Sequence, residues 1–268
     1  MRRRRSGHRS QGVPAHVTVL GSDLDSADVP DAFTEAASRY DRMVSLNPGY
    51  HRHLRSAATA LLQTLDPHRA LRLVDLGCGS GASTRALLAA ARAVRAAVSV
   101  TGVDASAGML EQARAKQWPA GVEFRQGLAQ DLAEHRSAWG LDEPADGVLA
   151  AYLFRNVQAA ERDQALVDVH ALLSGGGTLV VQEYSVAGSP AASAVWTLVS
   201  WSVVIPLSWI TSRQTRLYRY LWRSVRDFDS VQTFVDRLYA AGFVDVEVRT
   251  VPGWQQGILH TFRARKPA

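Results

Sequence analysis

Between residues 71 and 184 short apolar runs alternate with stretches in which apolar side chains recur three and four positions apart. The runs at 71–76 (LRLVDL), 97–103 (AVSVTGV), 122–126 (VEFRQ), 146–153 (DGVLAAYL) and 178–184 (TLVVQEY) have strand length. The intervening 82–94, 106–117, 129–138 and 160–173 read as helices, each with one apolar face. Strands joined by helices at this interval need crossover connections, so the pattern predicts an α/β fold with a doubly wound, mostly parallel sheet. A further helix at 230–241 and strands at 244–250 and 258–264 bring that sheet to seven strands.

Two segments depart from the alternation. Residues 31–65 have helical spacing on both sides of Asn47-Pro48-Gly49, and Asp66-Pro67 closes them off. Residues 187–225 insert an apolar segment before the last helix, and Val195–Ile210 is its most apolar part. That stretch is 16 residues long with Pro206 inside it, shorter than the roughly 20 residues a membrane span needs. The expected division is a basic leader over 1–30, an N-terminal helical cap over 31–68, a core over 69–186, an inserted helical lid over 187–225, and the rest of the core sheet over 226–268.

Charge changes little. The net +5 is matched by five arginines among the first ten residues, MRRRRSGHRS, and without them the formal charge is zero. The body has no basic stripe, so no nucleic-acid partner is expected. The leader reads as a disordered tail, with weak peripheral contact to an anionic membrane as the sharper alternative; five charges without an anchor hold weakly. A single cysteine, Cys78, rules out an internal disulfide and fits a cytoplasmic location. Oligomeric state is not legible.

The densest chemistry lies where the first strand meets its helix, in Val74-Asp75-Leu76-Gly77-Cys78-Gly79-Ser80-Gly81. Glycines let a backbone turn sharply and approach a ligand. The spacing G-x-G-x-G, with Ala82 where a dinucleotide fingerprint would place its third glycine, differs from the pyrophosphate loop of nicotinamide enzymes. Asp75 suits the amino group of a zwitterionic tail better than a diphosphate. Asp104, at the end of the second strand, is placed to accept from both ribose hydroxyls. Loop and acid together point to S-adenosyl-L-methionine, with a nicotinamide site as the weaker alternative. His51-Arg52-His53 puts two histidines at i and i+2, which do not share a helix face, so no metal site is expected.

D-L-G-C-G-S-G followed by G-V-D-A-S-A-G-M-L resembles the class I S-adenosylmethionine-dependent methyltransferases, whose sheet is Rossmann-like. The resemblance implies that Asp75, Gly77, Cys78, Gly79 and Gly81 cradle the methionine moiety. Asp104 would bind the ribose, and Ala105, Met109, Leu128 and Ala129 would border the adenine. Leu128 stands where that family often carries an acid for the adenine amino group, with Asp131 as a substitute.

A narrower resemblance, to the ubiquinone/menaquinone biosynthesis C-methyltransferases, rests on four segments. They are Tyr40-Asp41-Arg42-Met43 with Gly49-Tyr50-His51, Phe154-Arg155-Asn156-Val157, Gly176-Gly177-Thr178-Leu179 with Glu183-Tyr184-Ser185, and Tyr218-Arg219-Tyr220-Leu221 with Ser224. It implies methylation of a lipophilic quinol such as demethylmenaquinol, with Arg155, Asn156 and Tyr40 as the catalytic residues.

Arg155 follows the apolar run VLAAYLF with no turn residue between. Its expected place is an exposed cleft at the end of strand four, facing substrate; an ion pair with Asp163 or Glu183 is the alternative. Two other functions stay open: methylation of another hydrophobic small molecule, and a catalytically silent fold that only binds. The insertion's Trp196, Trp201, Trp209 and Tyr218 read either as lid core or as a channel for a prenyl tail.

Overall fold

The computed structural model describes residues 29–35, 37, 49–206 and 215–268. At its centre lie strands β1 (Leu71–Leu76), β2 (Val98–Asp104), β3 (Val122–Gln126), β4 (Ala145–Ala151), β5 (Leu173–Tyr184), β6 (Val244–Thr250) and β7 (Leu259–Arg265). They form one sheet in the order β3-β2-β1-β4-β5-β7-β6. β1 to β5 run parallel, and β7 pairs antiparallel with both β5 and β6. The expected seven-stranded, mostly parallel sheet is therefore present. Chain order reverses between β1 and β4, and a crevice opens beyond their carboxyl ends.

Around the sheet lie α1 (Tyr50–Leu62), α2 (Ala82–Ala93), α3 (Ala107–Arg114), α4 (Leu132–His135), α5 (Arg162–Leu172), α6 (Pro190–Val199), α7 (Thr215–Arg226) and α8 (Val231–Ala240). The period of two along the strands divides the core between the two faces. Leu149 of β4 and Val180 of β5 pack with Leu54, Leu61 and Leu87 of α1 and α2. Their neighbours Val148 and Val181 join Leu166, Phe234 and Phe262 on the opposite face. Central β4 is buried at every position, whereas edge strand β6 is mostly exposed.

Two elements differ from expectation. Residues 129–138 do not form one helix: a 3-10 turn (Ala129–Asp131) leads into the single turn of α4. Trp139 is buried in the core and Gly140, at φ 72°, turns the chain, so the segment is stopped by its own anchor. β5 begins five residues early, because the pairing slips between Ala145 and Gly147 and the glycines 175–177 ride in the strand as an irregularity.

The inserted segment supplies α6, a π-helical turn (Ser200–Val204) that prolongs it, and α7. Trp196 of α6 donates its indole N–H to the Trp222 carbonyl (3.2 Å), which ties the two helices together. Among the described residues no helix is long and apolar enough to cross a membrane. Tyr40 and Trp209 lie outside the described residues.

Candidate active site

Beyond the ends of β1 and β4 lies a cavity of about 400 Å³. Gly77, Cys78, Gly79, Asp104, Ala105, Met109, Leu128 and Ala129 all line it, as do Arg155 and Asn156. The sequence thus brought ten of its candidates to one wall or the other.

The first wall is the loop after β1. Gly77 and Gly79 have φ of 76° and 53°, a region that side chains rarely adopt. Gly77 N and Cys78 N both donate to the Val103 carbonyl (2.7 and 3.1 Å). Gly79 N donates to Asp104 Oδ2 (2.8 Å), and Ser106 N donates to Asp104 Oδ1 (2.9 Å). Asp104 therefore staples the first loop to the turn after β2. Burial pushes its carboxyl above the ordinary range, against the two N–H bonds that favour the charged form. Each oxygen has one of its two acceptor sites taken, and the remaining ones are open to ligand hydroxyls. Ser106 caps α3 by accepting from Met109 N (3.2 Å), which fixes Met109 against the loop. A methyl on Gly79 would come 3.2 Å from Met109 Cε.

Asp75 and Gly81 need correction: neither lines the cavity. Asp75 lies beneath the loop, fully buried, where its Oδ2 accepts from Ser83 Oγ (2.8 Å) and Thr84 Oγ1 (2.5 Å). Through Oδ2 it anchors the start of α2, while its buried Oδ1 has no hydrogen-bond partner. Burial lifts its pKa to about 7, more than the two hydroxyls pull it down. Gly81, at φ 89°, caps α2 with the Trp118 ring over it; an added methyl would stand 2.7 Å from that ring. Asp131 is likewise absent from the lining, and Gln130 takes that place. The Cys78 thiol is raised well above its usual range by burial and stays protonated.

The second wall is the turn that ends β4. Tyr152, at φ 60°, leaves the strand in a left-handed conformation that is unusual for a bulky residue, and the 3-10 turn Phe154–Asn156 follows. Arg162 of α5 clamps this turn: its Nε donates to the carbonyls of Phe154 (3.2 Å) and Val157 (3.1 Å). Its guanidinium pairs with Asp229 (3.1 Å).

The expected exposed position of Arg155 is not what the fold provides. Arg155 is only 7% exposed and pairs with fully buried Glu183, Nε to Oε1 at 3.2 Å. Its backbone N–H also donates to Glu183 Oε2 (3.2 Å). Burial raises the Glu183 pKa, and the Arg155 charge works against that rise. The other candidate partner, Asp163, pairs with Arg237 at 2.5 Å. Arg155 Nη1 donates to Asn156 Oδ1 (2.9 Å) and to Ser224 Oγ of α7 (3.0 Å). Asn156 Nδ2 donates to the Tyr152 carbonyl (3.2 Å), and Tyr220 OH donates to Asn156 Oδ1 (3.3 Å).

Sequence reasoning overlooked Tyr152 as a wall residue. It stacks between Tyr50 (5.6 Å) and Tyr184 (5.2 Å), and Tyr184 continues to Trp196 of α6 at 5.1 Å. Periodicity could not show this, because the signal is a backbone turn and not a residue pattern. Among the described residues no cluster of three or more histidine, cysteine or acidic side chains could hold a metal.

A glycine loop with room for close approach, an acid with open acceptor sites and a flat apolar border together fit an adenosine-bearing ligand with a short tail. The comparisons agree. The model of the ubiE/COQ5 methyltransferase family matches residues 21–266. A demethylmenaquinone methyltransferase of Clavibacter sepedonicus is 32% identical over 255 residues, 93% of this chain and 96% of the relative. A ubiquinone/menaquinone biosynthesis C-methyltransferase of Bradyrhizobium diazoefficiens is 31% identical over 84% of this chain and 87% of its own. In fold, a magnesium protoporphyrin IX methyltransferase of Synechocystis, solved with bound S-adenosylhomocysteine, aligns with a TM-score of 0.61. That alignment covers 90% of this chain and all of the other at 14% identity.

Proposed function

Because the chain belongs to the ubiE/COQ5 methyltransferase family and is an S-adenosylmethionine-dependent methyltransferase, we propose that it methylates a ring carbon of a lipophilic quinol of the demethylmenaquinol type. The bound donor supplies an electrophilic methyl on a sulfonium. In this reading the backbone of Gly77 to Gly79 receives its amino-acid tail, Asp104 accepts from the ribose, and Met109, Leu128 and Ala129 border the base.

Arg155 carries the argument. A ring carbon becomes nucleophilic when its phenol loses a proton, and lowering a phenolic pKa by three units takes about 4 kcal/mol. A guanidinium held in a partly desolvated wall acts on a developing oxyanion with little reorganisation. Glu183 sits in ion-pair contact with buried Nε while Asn156 and Ser224 accept from Nη1, so Nη2 is the nitrogen left for an acceptor oxygen. Asn156 fixes the turn, and the loop opposite it aligns the reactants. Tyr40 is retained as a third candidate on the strength of the family resemblance alone.

The test is turnover of a short-chain demethylmenaquinol, with methylated product read by mass spectrometry. Arg155→Gln is expected to abolish product while donor affinity by calorimetry stays within about threefold. Full turnover by that variant removes Arg155 from the chemistry, and methylation of some other hydrophobic phenol but not the quinol rejects the acceptor class.

The lid supports a peripheral membrane contact, which would give a lipophilic acceptor its entry. Leu198 is 68% exposed, Val195, Trp201 and Val203 are also exposed, and Arg216, Arg219 and Arg226 of α7 are exposed too. Arg219 lies over the Trp201 ring at 6.0 Å. Apolar side chains beside arginines suit an anionic bilayer surface. Cosedimentation with anionic vesicles should fall severalfold for Leu198→Ser with Trp201→Ser; equal binding assigns the contact elsewhere or nowhere.

A further inference from the structure

Resting on the reading of Arg155 and Asn156 as the catalytic pair, we propose that Ser224 and Tyr220 of α7 are positioning residues for the methyl transfer, fixing which donor Arg155 turns to the acceptor. The two lie one turn apart on α7, at i and i+4, and both reach the same polar pair. The hydrogen bonds run in one direction. Tyr220 OH donates to Asn156 Oδ1, and Arg155 Nη1 donates to that same oxygen and to Ser224 Oγ. Ser224 Oγ in turn donates to the Leu221 carbonyl (3.1 Å).

Each orientation is over-determined. The Ser224 proton is committed to Leu221, so its lone pair faces the guanidinium. The Asn156 amide cannot flip, because its Nδ2 already donates to Tyr152. With both Nη1 protons engaged and Nε in ion-pair contact with Glu183 Oε1 at 3.2 Å, without a hydrogen bond between them, the guanidinium is held in place and Nη2 is presented. Ser224 is buried, so water is a poor substitute for its hydroxyl. α7 thereby becomes part of the catalytic apparatus and not only a cover: when it is seated, the polar pair is aligned. This accounts for a polar face on a helix otherwise anchored by Leu217 and Tyr218 and by Val225.

The experiment compares Ser224→Ala, Ser224→Thr, Tyr220→Phe and Arg155→Gln in the full-length enzyme, with a short-chain demethylmenaquinol and S-adenosylmethionine. Ser224→Ala removes an acceptor of a charge-assisted hydrogen bond, so kcat should fall about tenfold to a hundredfold. Tyr220→Phe loses a neutral bond and should lose about fivefold. KM for the donor should stay put in both, and Ser224→Thr, which restores the hydroxyl, should recover most of the rate. A loosely held Nη2 ionises the phenol less well, so the acid limb of the kcat–pH profile should move to higher pH in Ser224→Ala.

Melting curves show whether each variant folds, and Tyr220→Phe, which deletes only an oxygen, decides the matter if Ser224→Ala does not. Wild-type kcat and pH profile in Tyr220→Phe and in any folded Ser224→Ala overturn the proposal. If Arg155→Gln turns over normally, the premise itself fails, whatever the α7 variants do.

Discussion

The wall formed by Gly77–Gly79 and Asp104–Met109 is held mostly by the adjoining β1, α2 and β2 segments, whereas the wall formed by Tyr152–Asn156 draws on β5 and on α7 of the inserted segment. In the first, Gly79 reaches Asp104 across 25 residues and Thr34 meets Ser106 from the N-terminal side. Asp104 also meets Ser106 two residues on, and Asp75 meets Ser83 and Thr84 eight and nine residues on. In the second, Arg155 depends on Glu183 at a separation of 28 and on Ser224 at 69. The donor site is thus wired mainly within β1, α2 and β2. Remote wiring makes the acceptor side conditional on β5 and α7 being in place. The division suits a fold that keeps one cofactor site while the acceptor side varies.

The sharpest way to break this contrast is to remove the distant carboxylate. Glu183→Ala leaves Arg155 buried and unpaired, which costs about 3–5 kcal/mol. We expect a large fall in melting temperature and loss of turnover, with donor affinity kept in whatever fraction remains folded. If calorimetry shows donor binding lost along with turnover at a temperature where the variant is folded, the two walls are not wired separately.

The same contrast explains what could be read from sequence. The five parallel strands, the glycine loop and Asp104 were legible, because each signal is complete within a few residues of its own. Asp75 and Gly81 were read as ligand contacts since a loop motif does not reveal depth: Asp75 turns under α2, and Gly81 is roofed by Trp118, 37 positions along the chain. The Arg155 partner was one of two open choices, because no local pattern favours Glu183 over Asp163. Tyr220 and Ser224 entered only as part of a family-like segment with no role attached, and Arg162 carried no signal, since each acquires its role only when α5 and α7 pack against the turn. The helix expected at 129–138 failed for a related reason: its periodicity was sound, but a buried Trp139 overruled it.

A middle-sized effect probes the local wiring through pH. The fold raises the Asp75 pKa from 3.8 to about 7 by burial, so the native state holds a proton that the unfolded chain releases. Stability of the ligand-free wild type relative to Asp75→Asn should therefore be greatest below pH 4. It should decline as pH rises to about 7 by up to about 1.4 kcal/mol per pH unit, and level off above. Melting temperatures of the two proteins across pH 4 to 8 supply the measurement. Parallel curves mean that Asp75 is not the titrating group.

The smallest and most discriminating effect concerns two glycines two residues apart. Both occupy left-handed backbone, where a side chain costs about 1–2 kcal/mol. The atoms around them differ. A methyl on Gly79 meets only Met109 Cε, inside the donor wall, at 3.2 Å. A methyl on Gly77 meets Leu153 at 3.0 and 3.1 Å, and Leu153 directly precedes the turn that carries Arg155. Gly79→Ala should then weaken donor binding about tenfold with little change in kcat at saturating donor. Gly77→Ala should weaken donor binding similarly and also lower kcat severalfold, because the push is relayed through Leu153 to the polar pair. Steady-state kinetics at saturating and limiting donor separate the two outcomes. Identical kinetic profiles would mean that the walls share no mechanical link at Leu153, leaving β5 and α7 as the elements that set Arg155.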